Sequence, residues 1–180
     1  MLLAFLLGYL LGGLPIAYWF GALRGRNLLQ EGSGNPGALN AYRVLGPIPG
    51  LMVLFLDLFK GALSVALGEG AMGSPLGGFV GGVGAVWGHA FSPWLLFRGG
   101  KALAPGVGVL FAVDPRVLLA ALLLFALLAA LSRRPYRAAL AVALALPLLT
   151  AFFGKTPAHL LFGLGVGLPV ALRYLKDWDR

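Results

Sequence analysis

The chain has 180 residues, of which 59% are hydrophobic and only 11% are charged, and its mean hydropathy is +0.90. Soluble domains carry about 25% charged residues, so this composition excludes a water-soluble surface and predicts an integral membrane protein. The net charge is +8, and the basic residues lie between apolar runs, which favours membrane lipids over nucleic acid as the partner. The chain has no cysteine, which excludes disulfides and thiolate chemistry.

Seven apolar segments follow one another, and each run is continuous rather than alternating, which favours helices over a β-barrel. They cover residues 1–23, 45–67, 76–97, 103–113, 117–131, 138–153 and 158–175. The sequence therefore predicts an all-α integral membrane protein, with one domain over residues 1–180 and a compact bundle of about seven transmembrane helices. No basic stretch or A-x-A-like cleavage site marks the first segment as a signal peptide, so we interpret it as a retained span.

The cations between the segments predict an orientation. With seven crossings and the N-terminus outside, 11 cations face the cytoplasm and only Arg116 and Lys155 face outwards. If residues 103–113 were re-entrant instead, the split would be 7 inside against 6 outside. The positive-inside rule therefore favours seven crossings, with a cytoplasmic C-terminus whose Trp178 lies at headgroup level.

The first polar interruption is a run of small residues followed by an amide and a cation: Gly32-Ser33-Gly34-Asn35-Pro36-Gly37, then Asn40 and Arg43. Glycines that adopt positive φ expose their N–H groups, and such a nest beside an arginine suits phosphate. The alternative interpretation is a plain turn before a helix.

Asp57, Lys60 and His89 are ionisable residues that lie inside predicted spans. Asp57 and Lys60 are three positions apart and share a helix face, so we expect an ion pair that either locks neighbouring helices or supports a ligand site. His89 either donates a hydrogen bond to a backbone carbonyl or acts as a general base near neutral pH.

The second polar interruption is Arg98-Gly99-Gly100-Lys101, where a predicted span meets the cytoplasm. Two glycines between two cations favour phosphate binding, whereas a positive-inside anchor would need the cations alone. The six acidic residues and two histidines are scattered without metal-ligand spacing, so we expect no metal and no other cofactor.

These blocks resemble a known family, the bacterial acyl-phosphate:glycerol-3-phosphate acyltransferases, or PlsY family. Four blocks match in order: Leu14-Pro15 with Ala17-Tyr18, Gly32 to Arg43, Asp57 to Gly61, and Gly88 to Lys101. The resemblance implies a seven-span fold with cytoplasmic motifs. It also implies transfer of an acyl group from acyl phosphate to glycerol 3-phosphate, which gives lysophosphatidic acid and phosphate in the first step of phospholipid synthesis.

The residues and the resemblance together predict the site. We expect four catalytic residues: Ser33, Arg43, His89 and Lys101. We expect substrate phosphate on a larger set: Gly32, Gly34, Asn35, Gly37, Asn40, Arg98, Gly99 and Gly100. Asp57 and Lys60 would be a supporting ion pair. The expected partners are acyl phosphate, glycerol 3-phosphate and membrane lipids, and a monomer is compatible with the sequence.

The chain departs from the family pattern at four places. Leu39 replaces a usual threonine, Ala102-Leu103-Ala104-Pro105 replaces Gly-Val-Ala-Thr, residues 133–139 replace a serine-bearing loop, and residues 167–170 replace a histidine and an asparagine. The resemblance implies that those polar groups help to bind substrate, so a weak or silent homologue that binds lipid precursors is one alternative. A small-anion transporter or channel is another, although the sequence lacks an internal repeat.

Overall fold

The computed structural model describes residues 1–175, so Lys176, Trp178 and Arg180 lie outside the described residues. The described chain forms nine α-helices and a single 3₁₀ turn, Pro93–Leu95. The helices are α1 (Leu2–Gly13), α2 (Ile16–Ala22), α3 (Ala38–Leu45), α4 (Pro47–Met72), α5 (Pro75–Ala90), α6 (Leu103–Val113), α7 (Pro115–Ser132), α8 (Pro135–Gly154) and α9 (Pro157–Leu175). The all-α prediction is confirmed over this range.

Five helical stretches are long and apolar enough to cross a membrane: Leu2–Ala22 (α1 with α2), α4, α7, α8 and α9. The other two apolar helices are shorter, since α5 has 16 residues and α6 has 11. Proline opens α4, α5, α7, α8 and α9, where its missing N–H group is harmless and its fixed φ suits the first turn. The ends of α6 to α9 lie within a few residues of the predicted segments.

Three of the predicted boundaries are wrong. The first segment is broken between α1 and α2, because Pro15 cannot donate the helical hydrogen bond. A separate helix, α3, precedes the second span and ends at Gly46, whose φ of 99° favours glycine, so Arg43 lies in α3 rather than at the start of α4. The third segment leaves the helix after Ala90 instead of continuing to residue 97.

Side chains from later parts of the chain bind the carbonyl groups at the break between α1 and α2. The Ser92 hydroxyl donates to the Gly13 carbonyl at 2.7 Å, and the Lys60 ammonium donates to the Leu14 carbonyl at 2.8 Å. Backbone polar groups in a membrane need internal partners, so these bonds make the broken turn tolerable there. They also fix α1 and α2 against α4 and the chain after α5.

The glycines of α5 let two other helices approach its backbone. A Cβ atom on Gly81 would lie 2.3 Å from the Ser64 carbonyl oxygen of α4, and one on Gly84 would lie 2.4 Å from the Phe5 carbonyl oxygen of α1. This glycine-rich face therefore serves close helix packing. The main buried cluster joins α5 and α6 to α8 and α9, and a smaller one around Leu28 lies beneath α3.

Candidate active site

A cavity of about 700 Å³ opens between the chain before α3, helices α3 and α4, the start of α6, and helices α7 to α9. Its polar side chains come from distant parts of the sequence: Ser33, Asn35, Asn40, Arg43, Asp57, His89, Lys101, Tyr136, Arg173 and Tyr174. Apolar side chains that include Leu51, Leu54 and Phe125 form much of the remaining wall. Cations beside an apolar wall suit a ligand with an anionic head and an apolar tail.

Residues 24–37 lead into the cavity, and we call them loop 24–37. Asn40 holds this loop in place. Its side chain is only 1% exposed. Its Oδ1 accepts the Ser33 N–H at 2.8 Å, and its Nδ2 donates to the carbonyls of Leu28 at 3.1 Å and Glu31 at 3.0 Å. Both Nδ2 hydrogens are therefore used within the protein. The Asn40 side chain therefore positions the loop, and its Nδ2 has no hydrogen left to donate to phosphate.

The glycines of loop 24–37 only partly follow the expected nest. Gly32 and Gly34 adopt φ of 61° and 69°, but Gly37 is extended with φ of −137°. The N–H of Gly34 donates to the Glu31 carbonyl at 3.0 Å, and that of Gly37 donates to the Asn35 carbonyl at 2.9 Å. The N–H groups of Gly34 and Gly37 therefore close the loop on itself and are not exposed as the nest requires.

The first turn of α3 provides N–H groups in the place of that nest. The helix starts on Gly37, and Ala38, Leu39 and Asn40 of its first turn line the cavity. Within residues 1–175, no side chain caps this turn. The first N–H groups of a helix have no intrahelical partner and carry a partial positive charge, which makes this end of α3 suited to an anion.

Three cations line the same cavity. Arg43 lies in the last turn of α3, Lys101 precedes α6, and Arg173 lies in the last turn of α9. The structure therefore brings the predicted residues Ser33, Arg43 and Lys101 to one place. It leaves four predicted phosphate ligands off the cavity wall: Gly32, Arg98, Gly99 and Gly100.

Asp57, Lys60 and His89 form a buried cluster behind the cavity. The Lys60 Nζ lies 2.7 Å from Asp57 Oδ1, and His89 Nδ1 lies 3.7 Å from the same oxygen. Asp57 and His89 line the cavity, whereas Lys60 turns away from it to the Leu14 carbonyl. The predicted ion pair is therefore present, and it links α4 to the broken first span. The carboxylate also lies on the Nδ1 side of the imidazole, where it favours a proton on that nitrogen.

Residues 98–101, which we call segment 98–101, pack tightly against α5 and α9. The N–H of Gly100 donates to the His89 carbonyl at 2.9 Å, and Arg173 donates to the Gly99 carbonyl. A Cβ on Gly99 would lie 2.0 Å from the His89 carbonyl oxygen. The two glycines are therefore needed for close packing that places Lys101, and the expectation that Gly100 offers its N–H to phosphate is wrong.

The predicted site lacks several polar cavity residues, among them Tyr136, Arg173 and Tyr174. Arg173 looked like one more cation at a helix end, and the tyrosines lie among the positions where the chain departs from its family pattern or close to them. The only signal available was that each is a polar group at the predicted cytoplasmic end of a span. Their relation to Lys101 depends on the packing of α8 against α9.

Comparisons with known proteins show which family this chain resembles. The family model described as glycerol-3-phosphate acyltransferase matches residues 2–180. A glycerol-3-phosphate acyltransferase of Synechococcus sp. (strain JA-3-3Ab) is 43% identical over 180 residues, which cover 99% of this chain and 88% of the relative. Glycerol-3-phosphate acyltransferase 1 of Deinococcus radiodurans is 46% identical over 114 residues, which cover 63% of this chain and 58% of the relative.

The fold also matches a solved structure. A crystal structure of PlsY, an integral membrane glycerol 3-phosphate acyltransferase, in its glycerol 3-phosphate form superposes with a TM-score of 0.86 at 29% identity. The match covers 99% of this chain and 90% of that one. The lysophosphatidic acid form of the same protein gives a TM-score of 0.84. The chain therefore belongs to the glycerol-3-phosphate acyltransferase family.

Proposed function

We propose that this protein transfers an acyl group to glycerol 3-phosphate and releases lysophosphatidic acid, the first step of phospholipid synthesis. The observation that carries the proposal is one cavity lined by Ser33, the first turn of α3, Arg43 and Lys101 beside an apolar wall. The family supports the same activity, since relatives across most of the chain carry this name. The solved neighbour, crystallised in glycerol 3-phosphate and lysophosphatidic acid forms, supports the substrate and the product.

The donor that suits this site is an acyl phosphate. In the reaction, the hydroxyl oxygen of glycerol 3-phosphate attacks the acyl carbon, a C–O ester bond forms, and the bond from the acyl carbon to the phosphate oxygen breaks. Inorganic phosphate leaves with that electron pair, and the hydroxyl proton passes to a base. Because phosphate is a good leaving group, the site needs mainly to hold two anions close together and fix the attack geometry.

Each cavity residue has a proposed role in that task. The first turn of α3 and the Ser33 hydroxyl bind phosphate oxygens, and Asn35 supplies a further polar contact. Arg43 and Lys101 neutralise the charge that two phosphates bring together. This proposal moves the phosphate from the loop glycines to the helix N-terminus that follows them.

His89 is the protein group placed to receive the hydroxyl proton. It lines the cavity, and Asp57 lies 3.7 Å from its Nδ1. With the proton of the neutral ring on Nδ1, Nε2 has the lone pair that a general base needs. A phosphate oxygen of the substrate is the other candidate base, and His89→Gln separates the two by removing the imidazole while retaining a polar side chain.

The acyl chain has an apolar path out of the cavity. Leu51 and Leu54 of α4 and Phe125 of α7 line the wall that the chain would follow towards lipid. The window of α7 that could cross the membrane is only 11% buried within the protein. The cavity can therefore take its acyl donor from the bilayer and return its product there.

We also propose seven crossings of the bacterial inner membrane, with the N-terminus outside, the cavity facing the cytoplasm and a monomer as the working unit. The five long apolar helices and the shorter α5 and α6 support this count. Because the chain has no cysteine, single cysteines at Arg24 and Lys155 would report their side of the membrane. Labelling of both from the same side by an impermeant maleimide would contradict the topology.

The activity is tested on the purified protein in detergent. It is offered glycerol 3-phosphate with acyl phosphate, with acyl carrier protein thioester, and with acyl-coenzyme A, and lysophosphatidate is measured. We expect product with acyl phosphate and equimolar release of phosphate. Formation of lysophosphatidate from a thioester but not from acyl phosphate would overturn the proposal that acyl phosphate is the donor. Binding of glycerol 3-phosphate without product from any donor, or anion uptake into proteoliposomes without acylation, would overturn the activity.

A further inference from the structure

Two tyrosine rings enclose the tip of Lys101. Its ammonium lies 3.9 Å from the ring centroid of Tyr136 on α8 and 4.8 Å from that of Tyr174 on α9. The two ring centroids are 5.7 Å apart, and all three side chains line the cavity. The face of a tyrosine ring carries partial negative charge, so it attracts a cation placed over it.

The two residues before Lys101 are held by other helices. On one side, the Gly100 N–H donates to the His89 carbonyl of α5 at 2.9 Å. On the other side, Arg173 of α9 donates to the Gly99 carbonyl. The α9 helix therefore holds segment 98–101 through Arg173 and the lysine side chain through the next residue, Tyr174.

We propose that Tyr136 and Tyr174 are positioning residues that hold the Lys101 ammonium at the cavity wall, where its N–H groups meet a phosphate oxygen. This rests on the proposed function, whose substrates supply the phosphate. A lysine side chain is long and flexible, so fixing it before the ligand arrives lowers the ordering cost of binding. A ring face attracts the ammonium without neutralising its charge.

The test varies the charge on the ring face while keeping the size of the ring. Tyr136→Phe and Tyr174→Phe are compared with phenylalanines that carry increasing numbers of fluorine atoms, introduced by nonsense suppression in the full-length protein. Fluorine withdraws electron density and weakens attraction for a cation, so a merely structural packing role would not respond in proportion. Fluorination of Phe162, a buried ring stacked 4.8 Å from Phe79, is the matched control.

The readout is the dissociation constant for inorganic phosphate and for glycerol 3-phosphate, measured by calorimetry in detergent. We expect Tyr136→Phe to bind like the wild type and the most fluorinated ring to bind about tenfold more weakly, with a graded series between them. Tyr136→Leu should lose at least as much affinity. Fluorination of Phe162 should leave both constants unchanged.

Two results would overturn the inference. Affinity that is flat across the fluorinated series shows that the rings only pack, and affinity that rises shows that they compete with phosphate for Lys101. Because binding is measured apart from acyl transfer, the two proposals fail separately. If the wild type turns over and affinity does not change across the fluorinated series, only the role of the tyrosines is disproved. If affinity falls across the series and no variant turns over, only the acyltransferase activity is disproved.

Discussion

The two polar segments that border the cavity are held in different ways. Loop 24–37 is tied largely by its own residues and the start of the next helix, since Asn27 accepts the Leu29 N–H and Asn40 binds the carbonyls of Leu28 and Glu31. Segment 98–101 depends on other helices, through the His89 carbonyl and Arg173. The difference teaches that one half of the site is encoded locally, whereas the other half exists only once the bundle has packed.

The largest expected effect distinguishes the roles of the two cations of segment 98–101, Arg98 and Lys101. Lys101 lines the cavity, whereas Arg98 is exposed away from it. Lys101→Ala should lower kcat/KM for acyl transfer about 1,000-fold, because it removes a charge that faces the reacting phosphates. Arg98→Ala should stay within about twofold of the wild type, since a solvent-exposed cation off the cavity contributes little.

The same assay with Arg43→Ala tests the cation contributed by α3, which should follow Lys101→Ala in direction. Unfolding in detergent should occur at the wild-type temperature in all three variants. Wild-type turnover in Lys101→Ala, or an equal loss in Arg98→Ala, would contradict the proposed placement of phosphate.

The next largest effect is expected when the packing of segment 98–101 against α5 is disturbed. Gly99→Ala would place a Cβ 2.0 Å from the His89 carbonyl oxygen, so the segment must move and Lys101 moves with it. A displacement of about 1 Å at a reacting group can lower a rate about 100-fold, and we expect a loss of that order in kcat/KM. Gly106→Ala is the control, because its Cβ meets no atom within 4 Å among the described residues. Equal activity in the two variants would show that the segment tolerates displacement.

A smaller effect is expected when the internal hydrogen bonds of loop 24–37 are removed. Asn40→Ala leaves the Ser33 N–H and the carbonyls of Leu28 and Glu31 without their amide partner. Buried groups that lose their partners should lower the free energy of unfolding by about 2–3 kcal/mol, and kcat/KM should fall about tenfold as Ser33 becomes mobile.

Gln30→Ala is the control for that variant, because Gln30 is an exposed amide in the same loop. Thermal unfolding and turnover measured on one detergent preparation give both quantities. An unchanged unfolding temperature in Asn40→Ala would mean that the loop does not depend on this amide.

We expect the smallest effect from a half-buried carboxylate of loop 24–37, Glu31. A hydrogen bond from Arg26 holds the pKa of Glu31 below its usual value of 4.5. The folded loop therefore gains stability from the ionised form at pH values above about 4.5, and loses it as the pH falls through the lowered pKa. Glu31→Gln should change kcat/KM less than twofold at pH 7. Below pH 4.5 the variant should lose a smaller fraction of its activity than the wild type, because it has no carboxylate to protonate at this position. An identical decline below pH 4.5 in the variant and the wild type would exclude Glu31 from that loss.

The sequence predicted those parts of the site that depend on neighbouring residues. Continuous apolar runs and terminal prolines were enough for the helices, and Ser33, Arg43 and Lys101 could be chosen because polar groups are expensive within apolar sequence. The Asp57–Lys60 pair followed from helical spacing alone. Each of these inferences needed only a local pattern.

The failures come from tertiary structure. Gly32 and Gly34 before α3 have the positive φ values that were expected, yet the N–H groups of Gly34 and Gly37 bind carbonyls of the same loop, which no pattern of residue types reveals. Gly99 and Gly100 serve packing against His89, and the rings around Lys101 come from helices that follow it by more than thirty residues. Such relations depend on which helices become neighbours, and hydrophobic periodicity does not determine that.

The broken first span has a consequence for the synthesis of the protein. The carbonyls of Gly13 and Leu14 bind side chains that lie 79 and 46 residues further along the chain. A nascent chain that has inserted only its first helices therefore carries polar backbone in the bilayer without its final partners. The first span reaches its stable form only after the ribosome has added Ser92, so the earliest part of the protein to enter the membrane is among the last to settle.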